Sequence, residues 1–257
     1  MSSPLPNAER RTFTCPPDGS RWPYLVQTPP TPVRAVLIYL HGHYSDQYQG
    51  MTTGIYEDAF GKLRRELLLR SWAYVCPFYG GNSWMGPLAE AGMAELIGIL
   101  RREHPGVPVH LMGGSMGGSS AMVFASRRAA LLDGVAARCP ACDIEAYYAF
   151  ARASENGTLQ NIADAIRIHY TAGERNLAEE LAGRSALANA GGLTIPVHLV
   201  HGSADTVIPV DATRELAKRL KGLGRKVRYH EIAGGHHDSP ILEVDWAEML
   251  DFLGPEG

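Results

Sequence analysis

Ser115 is the residue whose setting points most directly to chemistry, at the centre of Gly113-Gly114-Ser115-Met116-Gly117-Gly118. A serine hydroxyl attacks an acyl carbon only when a turn projects it and a base removes its proton. In a turn that tight, side chains two residues before and two after the serine would collide, which accounts for Gly113 and Gly117. The backbone N–H of Met116 faces the same space, and a helix N-terminus there adds partial positive charge where an oxyanion would form. The base should be a histidine oriented by an acid. Asp205, in His201-Gly202-Ser203-Ala204-Asp205, is the candidate acid, whereas Asp211 reads as a helix N-cap. Two histidines compete in Ala233-Gly234-Gly235-His236-His237-Asp238. The Gly-Gly turn would swing the next side chain over the sheet, which favours His236 and leaves His237 as the alternative. A second oxyanion donor is expected from His41-Gly42-His43-Tyr44, through the N–H of His43 or, alternatively, of Tyr44.

Such residues need a scaffold that delivers them to one place. Compact apolar runs at 36–40, 72–77, 109–112, 135–139, 195–200 and 227–232 read as buried strands. Helical spacing of apolar residues at 88–100, 116–131, 212–220 and 241–253 separates or follows them. Strands alternating with helices predict a mainly parallel sheet covered on both faces, an α/β fold. Segments 11–15 and 22–27 read as an antiparallel hairpin at its start. The stretch 143–192 shows helical patterns at 144–153, 159–171 and 177–187 but no strand. It is expected to be a helical lid over the C-terminal edge of the sheet, inside one domain spanning 1–257. On this reading Ser115 follows one strand directly, and Asp205 and His236 sit in loops after two later ones. No lysine follows the glycines around Ser115, which argues against a phosphate-binding P-loop.

Composition excludes other classes. The chain has 257 residues, a net charge of -3 and 20% charged residues, so no nucleic-acid partner is expected. The pairs Arg64-Arg65, Arg101-Arg102 and Arg127-Arg128 read as solvated helix faces. No apolar run is long enough to span a membrane, and residues 1–11 lack the apolar core of a signal peptide. Four cysteines are too few for a disulfide scaffold. A cytoplasmic location is expected; the sequence leaves the oligomeric state open. Cys139-Pro140-Ala141-Cys142 closes a strand rather than opening a helix, and no second pair completes a zinc site. It reads as two semi-buried thiols under the lid.

Taken together, residues 34–250 resemble the α/β-hydrolase superfamily. Within it, Gly183-Arg184-Ser185-Ala186 leading to Thr194-Ile195-Pro196-Val197, then His201-Gly202 and Asp205, is similar to the end of prolyl oligopeptidase and dienelactone hydrolase-like proteins. The resemblance implies a Ser115–His236–Asp205 triad and hydrolysis through an acyl-enzyme, with no metal or organic cofactor. The chain lacks the β-propeller of full-length prolyl oligopeptidases and has serine where dienelactone hydrolases usually have cysteine. A carboxylic ester hydrolase is therefore the favoured expectation. A peptidase or acyltransferase using the same triad, and a non-catalytic ligand-binding homologue, are the alternatives. Substrate contacts are expected from Tyr44 and from Tyr79, Asn82 and Trp84, whose aromatic faces and polar groups would suit an acetyl or feruloyl ester of a carbohydrate. Tyr147, Tyr148, Phe150 and Tyr170 of the lid either roof the pocket or pack it onto the sheet.

Overall fold

The hairpin β1 (Ala8–Thr14) and β2 (Arg21–Gln27) leads into β3 (Ala35–Leu40) and then β4 (Trp72–Pro77), β5 (Val109–Gly114), β6 (Gly134–Arg138), β7 (Val197–Gly202) and β8 (Val227–Ile232). The computed structural model describes residues 8–254 apart from Thr53 and Val244. The expectation that residues 1–11 form no signal peptide therefore falls mostly outside the described residues. The strands form one sheet in the order β1-β2-β4-β3-β5-β6-β7-β8. β1 and β2 pair antiparallel, as do β2 and β4; every other pairing is parallel.

Every residue of β3, β4, β5, β6 and β7 is buried, which is why β3 and β4 read as unbroken apolar runs, while β5 to β7 also bury His110, Arg138, His198 and His201. Alternate side chains feed two cores. In β3, Val36, Ile38 and Leu40 join the core built by α3 (Pro87–Glu103), α4 (Met116–Arg128) and α8 (Asp211–Gly222). Ala35, Leu37 and Tyr39 join the opposite core, built by α2 (Glu57–Leu69) and α10 (Trp246–Leu253). The short helix α1 (Gln49–Thr52) precedes α2, and α9 (Ser239–Leu242) precedes α10. The single helix expected over 241–253 is thus two. Asp245 breaks it by capping α10, its side chain accepting from the Ala247 N–H.

Between β6 and β7 lie α5 (Ile144–Ala153), α6 (Gly157–Tyr170) and α7 (Leu177–Arg184). Each begins where a polar side chain takes up the free N–H groups of the first turn: Asp143, Asn156 and Asn176 respectively. α6 is tied down by Tyr170, whose hydroxyl donates to the Trp84 carbonyl at 2.8 Å. Among the described residues, no helix is long and apolar enough to cross a membrane.

The arginines are not simply solvated faces. Arg64 is buried and donates to the Met51 carbonyl. Arg127 and Arg128 both bind the buried carboxylate of Glu90, which also pairs with Arg184, itself only 2% exposed. This cluster joins α3, α4 and α7. Burial alone would raise the Glu90 pKa, but Arg184 and Arg127 hold it below the usual glutamate value. Glu90 thus stabilises the fold fully above the ordinary glutamate pKa, and its contribution is lost as pH falls through the depressed folded value. Glu90→Ala should lower the unfolding free energy by about 3 kcal/mol, because it removes the buried carboxylate shared by three arginines and leaves Arg184 with only Glu180 and the Met85 carbonyl. Chemical denaturation would measure this; a loss under about 1 kcal/mol would show that the cluster is only a surface network.

Candidate active site

The sheet order reverses around β3, where β4 lies on one side and β5 on the other. Open α/β sheets bind ligands at such a point, beyond the C-terminal strand ends. Ser115 sits there, between β5 and α4, with φ +56°. That strained conformation is held by the Ser115 N–H donating to the Arg138 carbonyl at 2.9 Å, while the Ser115 carbonyl accepts from the N–H and hydroxyl of Ser119. The flanking glycines are sterically required. A Cβ on Gly113 would lie 2.3 Å from the Gly117 carbonyl carbon, and one on Gly117 would lie 2.0 Å from the Leu40 oxygen.

Ser115 Oγ lies 2.9 Å from Nε2 of His237, and Nδ1 of His237 lies 2.7 Å from Oδ2 of Asp205. His236, favoured on the sequence, makes neither contact: it is exposed, and its backbone N–H donates to Ser239 Oγ. The reason is the path of the turn. Gly235 closes a turn with its N–H on the Ile232 carbonyl, and its own carbonyl accepts from the Ala204 N–H. The chain is thereby pinned along the exit of β7 through Gly235. The next side chain faces solvent, and the one after it turns inward over Ser115.

Asp205 follows β7 with its side chain fully buried. Its Oδ1 accepts from the backbone N–H groups of Val207 and Ile208, at 2.8 and 2.9 Å. His201 Nε2 lies 3.3 Å from Oδ2, a support that the sequence reading missed although the two residues stand four apart. Burial would raise the Asp205 pKa, but hydrogen bonds from His201 and His237 hold it well below the usual aspartate value. Burial disfavours the charged His237 ring, yet Cys139 and Asp205 favour it more strongly and raise its pKa. Asp211 lies outside this site. It is the first residue of α8 rather than its cap, exposed and paired with Arg214.

The loop after β3 has three candidate N–H groups, and two are already engaged. Gly42 donates to Gln49 Oε1 at 2.7 Å, and Tyr44 donates to Asn82 Oδ1 at 2.8 Å. Among the described residues, no acceptor takes the His43 N–H. His43 and Ser115 line the same cavity, and Met116 opens α4 directly after the serine. The His43 ring is held in one tautomer: its Nδ1 accepts from Trp84 Nε1, so its Nε2 donates to Asn161 Oδ1 of the lid. Burial lowers its pKa, keeping it neutral.

The cavity over Ser115 has a volume of about 280 Å³ and is walled by Tyr39, Tyr44, Tyr56, Ile162, Ile241 and Asp238, among others. Of the four substrate contacts expected from the sequence, Tyr44 lines it and is 64% exposed. Tyr79 and Trp84 are fully buried, because the loop after β4 folds beneath the lid instead of facing the cavity. Tyr79 donates to the His41 carbonyl, and Trp84 packs 5.4 Å from the Tyr147 ring. Asn82 instead holds the loop after β3, its Oδ1 accepting from the Tyr44 N–H. The lid aromatics Tyr147 and Tyr170 are likewise packing groups, and the roof over Ser115 is formed by Thr158 and Ile162 of α6. Tyr56 donates its hydroxyl to Asp238 Oδ1 across one wall. No motif marks Gln49, Tyr56, Thr158 or Ile162, whose places in the cavity arise only in the folded chain.

A family model described as serine aminopeptidase, S33, matches residues 91–181. No curated protein matches the sequence. Among solved structures, the chain is similar to the acylaminoacyl peptidase of Pyrococcus horikoshii, at 17% identity and a TM-score of 0.70. That match covers 96% of this chain but 40% of the peptidase, so the chain spans well under half the length of that protein. Est1E from Butyrivibrio proteoclasticus matches at 15% identity and a TM-score of 0.65, covering 94% of this chain and 95% of Est1E. FphF of Staphylococcus aureus, described as a fluorophosphonate-binding serine hydrolase, matches at 14% identity and a TM-score of 0.68, covering 97% and 98%. At these identities the likeness is one of fold.

Proposed function

For a chain whose fold is that of the α/β-hydrolases, we propose a serine hydrolase that cleaves short-chain carboxylic esters through an acyl-enzyme on Ser115. The observation that carries this reading is the continuous hydrogen-bonded line from Ser115 Oγ through His237 to the buried Asp205. His237 takes the Ser115 proton as the hydroxyl oxygen attacks the acyl carbon. Asp205 accepts from Nδ1–H and stabilises the imidazolium that forms. The N–H groups of Met116 and His43 receive the oxyanion. His237 then protonates the departing alcohol, and a water activated by the same ring releases the acid.

The small volume of the cavity favours a small acyl group. About 280 Å³ lies just below the usual range for ligand pockets, and Thr158 and Ile162 line it from α6. The aromatic platform expected for a sugar or feruloyl group is not supported, since Tyr79 and Trp84 are sealed in the core. Among p-nitrophenyl esters, acetyl and butyryl should exceed octanoyl by about 10-fold or more in kcat/KM. Octanoyl as the best substrate would overturn the size argument. The second reading, a peptidase, is favoured by the aminopeptidase family match and by the Asp238 carboxylate in the cavity wall, which could receive an ammonium group. An aminoacyl-p-nitroanilide turned over faster than every ester would select it.

A further inference from the structure

The two thiols of Cys139-Pro140-Ala141-Cys142 part company in the fold. Cys142 is buried with its sulfur 3.5 Å from Thr213 Oγ1. Cys139 instead lines the cavity beside Ser115 and His237. One ligand atom from each of Cys139, Asp205 and His237 lies within 4.8 Å of the other two. They arrive from the ends of three adjacent parallel strands, β6, β7 and β8. Together they supply a thiol sulfur, a carboxylate oxygen and an imidazole nitrogen, the donor types that zinc selects.

The donors are held in place. Cys139 adopts φ +42° and its N–H donates to the Val200 carbonyl at 2.8 Å, which fixes the turn that carries its sulfur. Asp205 is fixed by two backbone N–H groups, as described above. Asp205 Oδ2 and His237 Nδ1 share one proton across 2.7 Å. A cation bonded to both needs them somewhat farther apart, since zinc bonds to nitrogen and oxygen run about 2.0–2.2 Å. A small shift of the His237 ring, which is 20% exposed, supplies this. A water can complete a four-coordinate site.

We propose that Cys139, Asp205 and His237 form a site for a thiophilic divalent cation, zinc by its chemistry, and that filling it switches off the Ser115 hydroxyl as a nucleophile. On binding, Cys139 loses its thiol proton to solvent and forms the metal–sulfur bond. The single imidazole proton moves from Nδ1, which becomes a ligand, to Nε2. With Nε2 protonated, His237 donates to Ser115 instead of accepting its proton, and no base remains. Binding itself does not depend on the hydrolase reading; the inhibition rests on it.

The test separates the two. Reduced Ser115→Ala protein is titrated with Co2+ and followed for the thiolate-to-cobalt charge-transfer absorption. That band is expected in this protein and in a Cys142→Ser variant, which keeps all three donors, and it should vanish in Cys139→Ser. In parallel, Zn2+ should inhibit ester turnover by the protein with Ser115 intact. The concentration for half-inhibition should rise by about 10-fold or more in Cys139→Ser, each variant being compared with its own zinc-free rate. A charge-transfer band in protein that hydrolyses no ester would leave the metal site standing and sink the hydrolase reading. Absence of the band in the Ser115→Ala and Cys142→Ser proteins, or zinc inhibition unmoved by Cys139→Ser, would overturn the site.

Discussion

Ser115→Ala is expected to lower kcat/KM for p-nitrophenyl acetate by about 10⁴-fold or more, with the unfolding free energy changed by no more than about 1 kcal/mol. The large kinetic effect follows from the place of the Ser115 hydroxyl at the end of the His237–Asp205 line, where its Oγ is what His237 Nε2 faces. The small stability effect follows from what the side chain does not do. The turn is held by the Ser115 backbone, through Arg138 and Ser119, and by the glycines at 113 and 117. Alanine suffers the same strain as serine at φ +56°, so little changes beyond one lost hydrogen bond. A fluorophosphonate probe, which forms a phosphorus–oxygen bond with an activated serine as fluoride leaves, should label the protein but not the variant. A variant retaining a tenth of the activity would sink the acyl-enzyme mechanism. Folded protein with Ser115 intact that resists the probe would favour a ligand-binding homologue.

Much of the scaffold is legible because the physics behind it is local. Strands covered on both faces are mostly apolar, and β3 and β4 are so throughout, while β5 to β7 bury only His110, Arg138, His198 and His201 among apolar residues and glycines. Gly113 and Gly117 announce the Ser115 turn because any Cβ there would strike backbone. The lid helices begin at Asn156 and Asn176, whose side chains visibly suit a cap. The illegible parts share a different cause: a contact between distant segments decides them. Trp84 looks like a substrate platform until Tyr170 of α6 bonds its carbonyl and Tyr147 packs on its ring. Cys139 reads as a semi-buried thiol like Cys142 until Asp205 and His237 arrive beside it. Arg127 and Arg128 look solvated until Glu90, on another helix, is found buried between them.

The choice between adjacent histidines is the sharpest such case, and it sets a second large effect. His237→Ala should lower kcat/KM by about 10⁴-fold or more, whereas His236→Ala should stay within about threefold of the starting value. The asymmetry comes from a one-residue difference in register. The Gly235 carbonyl is fixed by the Ala204 N–H, so residue 236 leaves the turn facing water and residue 237 faces Ser115. A chain free to pivot at Gly234, which has φ +70°, would let His236 substitute. It cannot do so cheaply, because Gly202 is packed against the Gly235 carbonyl, where even a Cβ would lie 2.3 Å from the oxygen. Rotating the turn would break that packing together with the Ala204 hydrogen bond. His236→Ala therefore removes only an exposed ring, while His237→Ala removes the base and leaves the buried Asp205 Oδ2 with His201 alone. Equal losses in the two variants, measured on protein with unchanged melting behaviour, would show that the turn moves during catalysis and that the pair acts together.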